Sequence, residues 1–342
     1  MVRPRWNKNA RRAKSSRDGP GPRPALDLAG WVALRHGNNM AYVLLGAPPQ
    51  RGIMHVGSDK NVDTRVARGF GEEWSTFRQD ETRLAREQRE TIFENYFRIF
   101  PWHLLPPGGG IGADVGCGSG RWAMMVAPRV AHLHLLDVSP DALAVARENL
   151  KNQNNVSFYV SSVGDIPLPT QSLDFAFSLG VLHHVPDTQK AIDAIAGKLK
   201  TGAPFLVYLY YASDNRPSWY RALWAASNVV RLAVSRLPHR IRIIFSEAIA
   251  AAIYWPLARF AALLSHFGAS HQSLPLSWYA DKSFYVMRTD AYDRFCTRLE
   301  KRFTRVQIGQ MLAHAGFEQI HFSDSPPYWC AVGIKSRRGP SD

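Results

Sequence analysis

"ADVGCGSGRWA", residues 113–123, places three alternating glycines directly after an acidic residue. Glycines at a strand-to-helix turn let the backbone approach a nucleotide-like ligand closely. Read from Gly118, the letters GSGRWA also satisfy the G-x-G-x-x-A fingerprint of dinucleotide-binding sites. The stretch therefore predicts a nucleotide-like cofactor, and on its own it leaves the kind of cofactor open.

Strands and helices alternate around this turn and beyond it. Apolar runs predict strands at residues 111–116, 132–137 and 156–161, within 173–185, and at 204–211. Helices are predicted at 139–151, with Ser139 as N-cap and Pro140 as the first helical residue, and at 187–200. This alternation predicts an α/β fold, a doubly wound parallel sheet with helices on both faces.

The chain divides into five predicted regions. Residues 1–60, rich in Pro, Gly and Arg, are predicted to be a disordered basic extension. The others are an N-terminal helical cap at 61–110 with order beginning near 70–74, a core at 111–214, a helical insertion or lid at 215–304, and a C-terminal helix and strand hairpin at 305–337. Met40 and Met54 lie inside the extension, so we hypothesise that the functional chain begins later than residue 1, which mass spectrometry of the native N-terminus would test.

The formal charge of +14 is unevenly distributed. Residues 1–24 carry eight Lys/Arg against Asp18, and residues 216–268 carry seven arginines against Glu247, while the rest is close to neutral. Because the core itself is not basic, nucleic-acid binding is not expected. The three cysteines show no paired spacing, so neither disulfides nor a metal site is expected. We expect the protein to reside in a reducing compartment.

No signal peptide and no transmembrane helix are predicted. The most apolar window, 248–258, is bounded by Glu247 and Arg259, interrupted by Pro256, and far shorter than the roughly 20 residues that span a bilayer. We therefore predict a soluble, cytoplasmic protein. Arginines among aromatic residues in 215–270 favour a lid over an acceptor site, with peripheral membrane contact as an alternative.

Acidic residues at three predicted strand ends bear on the cofactor. An acid at position 114 would disfavour a pyrophosphate and would favour the cationic methionyl arm of S-adenosylmethionine. Asp137, after the second strand, can accept hydrogen bonds from both hydroxyls of a ribose. Asp165 can accept a hydrogen bond from the amino group of an adenine, and Ile166 would pack against the adenine ring. These acids favour S-adenosylmethionine, and an NAD-dependent oxidoreductase remains the alternative.

Four stretches carry a family resemblance: ADVGCGSGRWA, LHLLDVSPDAL, VGDIPLPTQSLDFAFSLGVLHHVPD and LKTGAPFLVYLYY. They resemble successive motifs of class I S-adenosylmethionine-dependent methyltransferases, in the type 11 branch that includes ubiquinone- and menaquinone-biosynthesis enzymes. The resemblance covers about residues 111–211 and implies a Rossmann-like seven-stranded sheet with an antiparallel last strand. The predicted cofactor-binding residues are Asp114, Gly116, Cys117, Gly118, Asp137, Val138, Asp165, Ile166 and Leu179.

The acceptor side is less specific in sequence. His183 and His184 follow the fourth strand, where they would act as a general base or simply pack beneath the cofactor. The predicted substrate-binding residues are Tyr210, Tyr211, Tyr285 and Arg288. Ser325-Pro326-Pro327-Tyr328 resembles a motif of amino-methyltransferases, but it joins the last two strands, so we interpret it as a hairpin turn.

The sequence thus predicts methyl transfer from S-adenosylmethionine to a small-molecule, lipid or sugar acceptor through O, C or N. A non-catalytic adaptor that keeps the fold and binds through its basic tail is a further alternative. The oligomeric state is not predicted.

Overall fold

The computed structural model describes residues 31–36, 39–44, 53–55, 61–69, 86–268 and 274–337. Strands β1 (Trp31–His36) and β2 (Asn39–Leu44) form an antiparallel pair within a unit comprising residues 1–49. The prediction of disorder over 1–60 is therefore wrong at these strands. Both have β-favouring apolar residues and are separated by Gly37-Asn38, a two-residue hairpin signal that the overall composition of the segment obscured. The predicted onset of order at 70–74 lies outside the described residues.

The second unit, residues 50–342, is built on one eight-stranded sheet. Its order is β3-β6-β5-β4-β7-β8-β10-β9, and all neighbours from β3 to β8 are parallel, whereas β10 is antiparallel to both β8 and β9. The strands are β3 (Ile53–His55), β4 (Ile111–Val115), β5 (His132–Asp137), β6 (Val156–Val160), β7 (Phe175–Leu179), β8 (Pro204–Tyr208), β9 (Phe317–Phe322) and β10 (Cys330–Lys335). The predicted α/β fold with an antiparallel last strand is confirmed.

The prediction of seven strands is wrong by one. The eighth, β3, pairs with the edge strand β6 through only three residues, from Ile53 opposite Phe158 to His55 opposite Val160. Ile53 and Met54 pack against the two cores on opposite faces of the sheet, which fixes this short strand in place. Three residues in a Pro- and Gly-rich segment are too few for periodicity to be detected.

Three of the described helices begin at a residue whose side chain caps the helix. Ser139 accepts from the Ala142 amide, Asp187 accepts from the Lys190 amide, and Thr304 forms a capping box with Gln307. The helices are α1 (64–69), α2 (Arg86–Phe97), α3 (Ala123–Val126), α4 (Pro140–Asn149), α5 (Thr188–Ala196), α6 (Ser218–Val234), α7 (His239–Ile249), α8 (Trp255–His266), α9 (Phe284–Cys296) and α10 (Arg305–His314).

The predicted helical insertion after the fifth core strand consists of α6 to α9 around their own small core. Val234 of α6 and Tyr254, which lies between α7 and α8, pack with Met287, Tyr292 and other residues of α9. Helices α7 and α8 are joined by a π-helical turn, Ala250–Tyr254, so that His239–His266 is one continuous 28-residue helix. Pro256 does not break it, because the altered hydrogen bonding of the π turn accommodates the missing proline N–H.

This helix changes one prediction made from sequence. Among the described residues, His239–His266 is the one helix long and apolar enough to cross a membrane, and only 22% of its most apolar 18-residue window is buried. The apolar segment predicted at 248–258 is thus only part of a longer apolar helix. Length and composition alone do not distinguish a membrane span from a helix that packs on one side, which is the case here.

Candidate functional site

A cavity of about 440 Å³ lies at the carboxyl ends of the parallel strands, where open α/β sheets bind ligands. Four strand ends contribute to its wall. The residues from these ends are Gly116–Gly118 after β4, Asp137 and Val138 at the end of β5, Ser161–Val163 after β6, and Leu179–Val181 at the end of β7. This volume is within the usual range for small-molecule sites.

The glycine turn brings the backbone to the cavity surface. Gly116 has a φ of +79°, and a Cβ there would lie 2.4 Å from the side chain of Val181, so only glycine fits. The Gly116 and Cys117 amides donate to the Leu136 carbonyl, and the Gly118 amide donates to Asp137 (2.9 Å). What this turn offers a ligand is therefore close approach to the backbone rather than these three N–H groups.

Gly120 has another role. Its φ is +75°, and a Cβ would lie 3.1 Å from the Cβ of Ala146 and 3.0 Å from Leu150. The third glycine therefore permits the turn to pack on α4, as in dinucleotide-type turns.

Asp137 lines the cavity and also binds the glycine turn through a hydrogen bond. Oδ2 accepts from the Gly118 amide, and Oδ1 accepts from the Ser139 amide at 2.8 Å. Burial raises the pKa of this carboxyl, whereas the backbone hydrogen bonds oppose the rise. Each carboxylate oxygen retains a second acceptor site, so Asp137 can still receive a pair of ligand hydroxyls.

The opposite wall of the cavity comes from the helical insertion and the end of β8. Its residues include Tyr208, Tyr210, Tyr211, Arg216, Tyr220, Leu276, Trp278, Tyr279, Asp290, Asp293, Arg294 and Arg302. Most are aromatic or ionisable, in contrast to the small residues of the strand-end wall. We call these two surfaces the helical wall and the strand-end wall.

Two carboxyl groups of α9 face this cavity with tyrosine partners. The Tyr210 hydroxyl donates to Asp293, and the Tyr279 hydroxyl donates to Asp290 at 2.8 Å. Burial raises the pKa of Asp293 to about 7, and the nearby Glu300 carboxylate contributes to the rise. Burial also raises the pKa of Asp290. Asp293 thus has the proton affinity of a general base that works near neutral pH.

A buried carboxylate orients two of the three arginines named in the helical wall. Glu300, whose side chain is 1% exposed, lies 3.2 Å from Arg294 and 2.9 Å from Arg302. Arg294 also donates to the Ser227 hydroxyl of α6 (2.8 Å), and the Arg302 guanidinium lies 5.2 Å from the Tyr210 ring. Removing one partner of a buried ion pair leaves the other charge buried and unpaired, which is energetically costly. This cluster therefore holds the helical wall in one arrangement.

The cavity lining also includes Asn61 and Val62, which precede α1. The Asn61 side chain donates to the Asp187 carbonyl (2.7 Å) and accepts from the Asp187 amide (2.8 Å). Asp187 is the N-cap of α5. This reciprocal pair fixes the segment before α1 to the start of that helix.

The structure does not place the two predicted catalytic histidines in the cavity wall. His183 is fully buried and stacks on the Tyr210 ring at 3.8 Å, and its Nδ1 accepts from the Tyr210 amide (3.4 Å). His184 donates from Nδ1 to the Leu299 carbonyl (2.6 Å). Burial lowers the pKa of His183 well below its usual value and that of His184 to about 4. The packing interpretation fits these residues, and they support Tyr210 from behind.

Three residues of the predicted cofactor set also lie away from the cavity surface. Asp114 is 1% exposed within β4, its Oδ2 has no hydrogen-bond partner among the described residues, and burial raises its pKa well above the usual range. Asp165 lies in a turn where its amide donates to Ser162, and Ile166 packs in the core. Ser161, Ser162 and Val163 line the cavity instead, directly after β6. Of the predicted cofactor-binding residues, those that line the cavity are Gly116, Cys117, Gly118, Asp137, Val138 and Leu179.

On the acceptor side, Tyr210 and Tyr211 line the cavity, and Tyr285 and Arg288 do not. Arg288 lies 2.8 Å from Glu247 of α7, and Tyr285 packs between two hydrophobic clusters. The cavity face of α9 is formed by Thr289, Asp290, Asp293 and Arg294. The i, i+3, i+4 spacing of Asp290, Asp293 and Arg294 is the signal in sequence that marks this face.

The proline turn is the other feature that sequence reasoning missed. Pro326, Pro327 and Tyr328 join β9 and β10 as predicted, yet they also line the cavity. The Trp329 indole donates to Asp214 (2.8 Å), which anchors the turn beside the end of β8. The turn thus belongs to the site even though it does not lie after the fourth core strand.

Comparison with known proteins gives a match for the central part of the chain. Residues 113–207 match the family described as "Methyltransferase domain". A methyltransferase, nsrG, from Aspergillus novofumigatus is 31% identical over 121 residues, covering 34% of this chain and 46% of the relative. A ubiquinone biosynthesis O-methyltransferase from Xylella fastidiosa is 31% identical over 135 residues, covering 37% and 52%. This chain thus spans about half the length of these curated relatives.

Among solved structures, N-methyltransferase NodS from Bradyrhizobium japonicum, in complex with S-adenosylhomocysteine, superposes with a TM-score of 0.36 at 18% identity. The superposition covers 47% of this chain and 78% of NodS.

Proposed function

We propose that this chain, whose residues 113–207 match a methyltransferase family, transfers a methyl group from S-adenosylmethionine to a small, largely apolar acceptor. The observation that carries the proposal is the cavity with two unlike walls. Glycine backbone and Asp137 form one wall, and aromatic and ionisable residues form the other. One wall fits a nucleoside cofactor and the other fits a second, chemically different molecule.

The residues of the strand-end wall fit S-adenosylmethionine. Asp137 would accept hydrogen bonds from the ribose hydroxyls, and the Gly116–Gly118 backbone would lie along the methionyl arm. Val138 and Leu179 would contact the adenosine, and Ser161–Val163 would take the place predicted for Asp165 and Ile166. When bound, S-adenosylmethionine supplies a methyl group on a sulfonium, which an acceptor nucleophile displaces in line.

The chain's part in such a reaction is mainly positioning and exclusion of water. The helical wall covers the cavity with Tyr208, Tyr220 and Trp278, against which an apolar acceptor would pack. Asp293 would take the proton that an O–H or N–H acceptor loses, and Tyr210, already bonded to that carboxyl, would orient it. Arg294 and Arg302 would stabilise negative charge on the acceptor.

The proposal is tested first by calorimetry with two ligands. The full chain should bind S-adenosylhomocysteine at micromolar concentrations and should bind NADH at least about a hundredfold more weakly. Binding of NADH alone would support the oxidoreductase alternative and contradict the proposal.

A second test follows the methyl group itself. Tritiated S-adenosylmethionine is incubated with a panel of phenols, long-chain hydroxy compounds and amines, and transfer to at least one class is expected. Weak or absent binding of S-adenosylhomocysteine, together with no transfer to any class of the panel, would support the adaptor alternative.

A further inference from the structure

Exposed apolar side chains are concentrated in one part of the described structure. Of the 18 large apolar residues that are exposed, 14 lie between Trp219 and Phe267, on α6, on the helix His239–His266 and in the residues that flank them. Scattered exposed apolar residues are ordinary, whereas a concentration of this kind indicates an interaction surface.

The long helix has one packed side and one apolar exposed side. Ser246, Ala250, Tyr254, Ala258 and Ala261 are buried at helical spacing; of these, Ala250, Tyr254 and Ala258 pack in the insertion core with α9. The exposed large residues of this helix are Ile241, Ile244, Ile253, Trp255, Leu257, Phe260 and Leu263. Ile244 is 68% exposed and Phe260 is 50% exposed. A helix that faces water on one side would carry polar residues there, so this face has the composition of a buried or lipid-facing surface.

The charged residues on the same segment have a single sign. Between residues 218 and 268 the exposed charged residues are Arg221, Arg236, Arg240 and Arg259. The one acidic residue there, Glu247, is partly buried and paired with Arg288. Arginines can bury their stems along apolar surface while the guanidinium meets an anionic phosphate.

We propose that the outward faces of α6 and of the helix His239–His266, here called the apolar–arginine surface, bind the surface of an anionic lipid bilayer. Apolar side chains would enter the interface between headgroups and acyl chains, and Arg221, Arg236 and Arg240 would contact lipid phosphates, as in interfacial amphipathic helices. A second copy of this chain fits less well, because two such faces would bring arginines of like charge together.

The same helix lies on the bilayer rather than across it. A spanning position would pull Tyr254 and Ala258 away from α9. It would also break the hydrogen bonds from Arg259 to the Tyr279, Ala280 and Lys282 carbonyls. Charged and polar groups in the hydrocarbon core are costly, whereas all of these contacts persist when only the outward face is covered.

Vesicle co-sedimentation of the full chain tests the proposal. Binding to vesicles of phosphatidylcholine with 30% phosphatidylglycerol is expected to be at least about tenfold tighter than binding to phosphatidylcholine alone, and to weaken at 0.5 M NaCl. The double variant Ile244→Ser/Phe260→Ser should weaken binding to the anionic vesicles at least about tenfold. The matched control is Val306→Ser, because Val306 is 67% exposed on α10, outside the surface, and this variant should bind like the unmodified chain.

Four results would overturn the proposal. The first is no binding to anionic vesicles by a protein that is folded, as judged from its thermal unfolding transition or from its binding of S-adenosylhomocysteine. The second is equal loss in the double variant and in Val306→Ser. The third is a stable dimer by light scattering that the double variant dissociates, which would assign the surface to self-association. Resistance to alkaline carbonate extraction would likewise contradict the interfacial position and support a spanning helix. Because these measurements do not involve methyl transfer, they stand or fall independently of the proposed function.

Discussion

The two walls of the cavity differ in how their residues reach it. The strand-end wall is assembled from short segments that each follow a sheet strand, so position in the sequence fixes position in space. The helical wall gathers Tyr210, Asp293, Arg302 and Tyr328 from separate segments spread over more than a hundred residues. The first wall is a property of the fold, whereas the second depends on how α9 packs in its insertion. The cofactor and acceptor roles assigned to them can therefore be separated by substitution.

The largest effect is expected at Asp137. Replacement by alanine removes the acceptor of the predicted ribose hydrogen bonds and also releases the Gly118 amide, so we expect affinity for S-adenosylhomocysteine to fall about a thousandfold. Calorimetry measures it. Asp141→Ala, which removes an exposed carboxyl from the first turn of the adjacent α4, is the control. An unchanged affinity in Asp137→Ala would contradict the assignment of the cofactor to the strand-end wall.

A smaller but different effect is expected at Asp293. We expect the kcat of the unmodified chain to rise with pH through a midpoint near 7, because the carboxylate form must accept the proton. Asp293→Asn should lose this rise and lower kcat about a hundredfold with cofactor affinity within about twofold. Loss of both kcat and affinity would show that the two walls are not separable.

The same carboxyl gives a stability prediction that needs no acceptor. Its pKa is about 7 in the folded chain and near its ordinary value of 3.8 when unfolded. Between these values the folded state binds more protons, so the free energy of unfolding should fall as pH rises from about 4 to about 7. In urea titrations Asp293→Asn should show a shallower fall over this range, and an identical pH dependence in both chains would contradict the assignment.

The glycine turn is expected to respond with a loss of stability. Gly116→Ala combines an unfavourable φ with contact to Val181, and should lower the free energy of unfolding by about 2–3 kcal/mol. Gly108→Ala is the matched control, because Gly108 has a φ of +81° with nothing within 4 Å of a Cβ. The difference between the two variants measures the close contact alone, and equal losses would show that it contributes nothing.

The smallest effect is expected at Arg288. Since it pairs with Glu247 outside the cavity, Arg288→Ala should change kcat and acceptor KM by less than about twofold. Arg302→Ala, which removes a cavity residue paired with Glu300, should raise the acceptor KM by at least about tenfold. Equal effects in steady-state kinetics would place both arginines outside acceptor recognition.

Sequence reasoning located the sheet and most of the strand-end wall because its signals are local. Alternating apolar runs, the capping residue Ser139 and the spacing from Gly116 to Asp137 all act within about 25 residues. It failed at Asp165, because four residues separate that carboxyl from the end of β6. It failed at Arg288 and Tyr285, because α9 has apolar residues on more than one side, and only packing against α6 and α7 decides which side remains for the cavity.

The reciprocal hydrogen bonds between Asn61 and Asp187 have a kinetic consequence. Both must break before this cavity-lining segment can move away, and the Asp187 side chain also caps α5. We expect release of a bound ligand to depend on this contact with the first turn of a core helix. The rate of product exchange and the local opening of α5, observable by amide hydrogen exchange at Lys190, should change together.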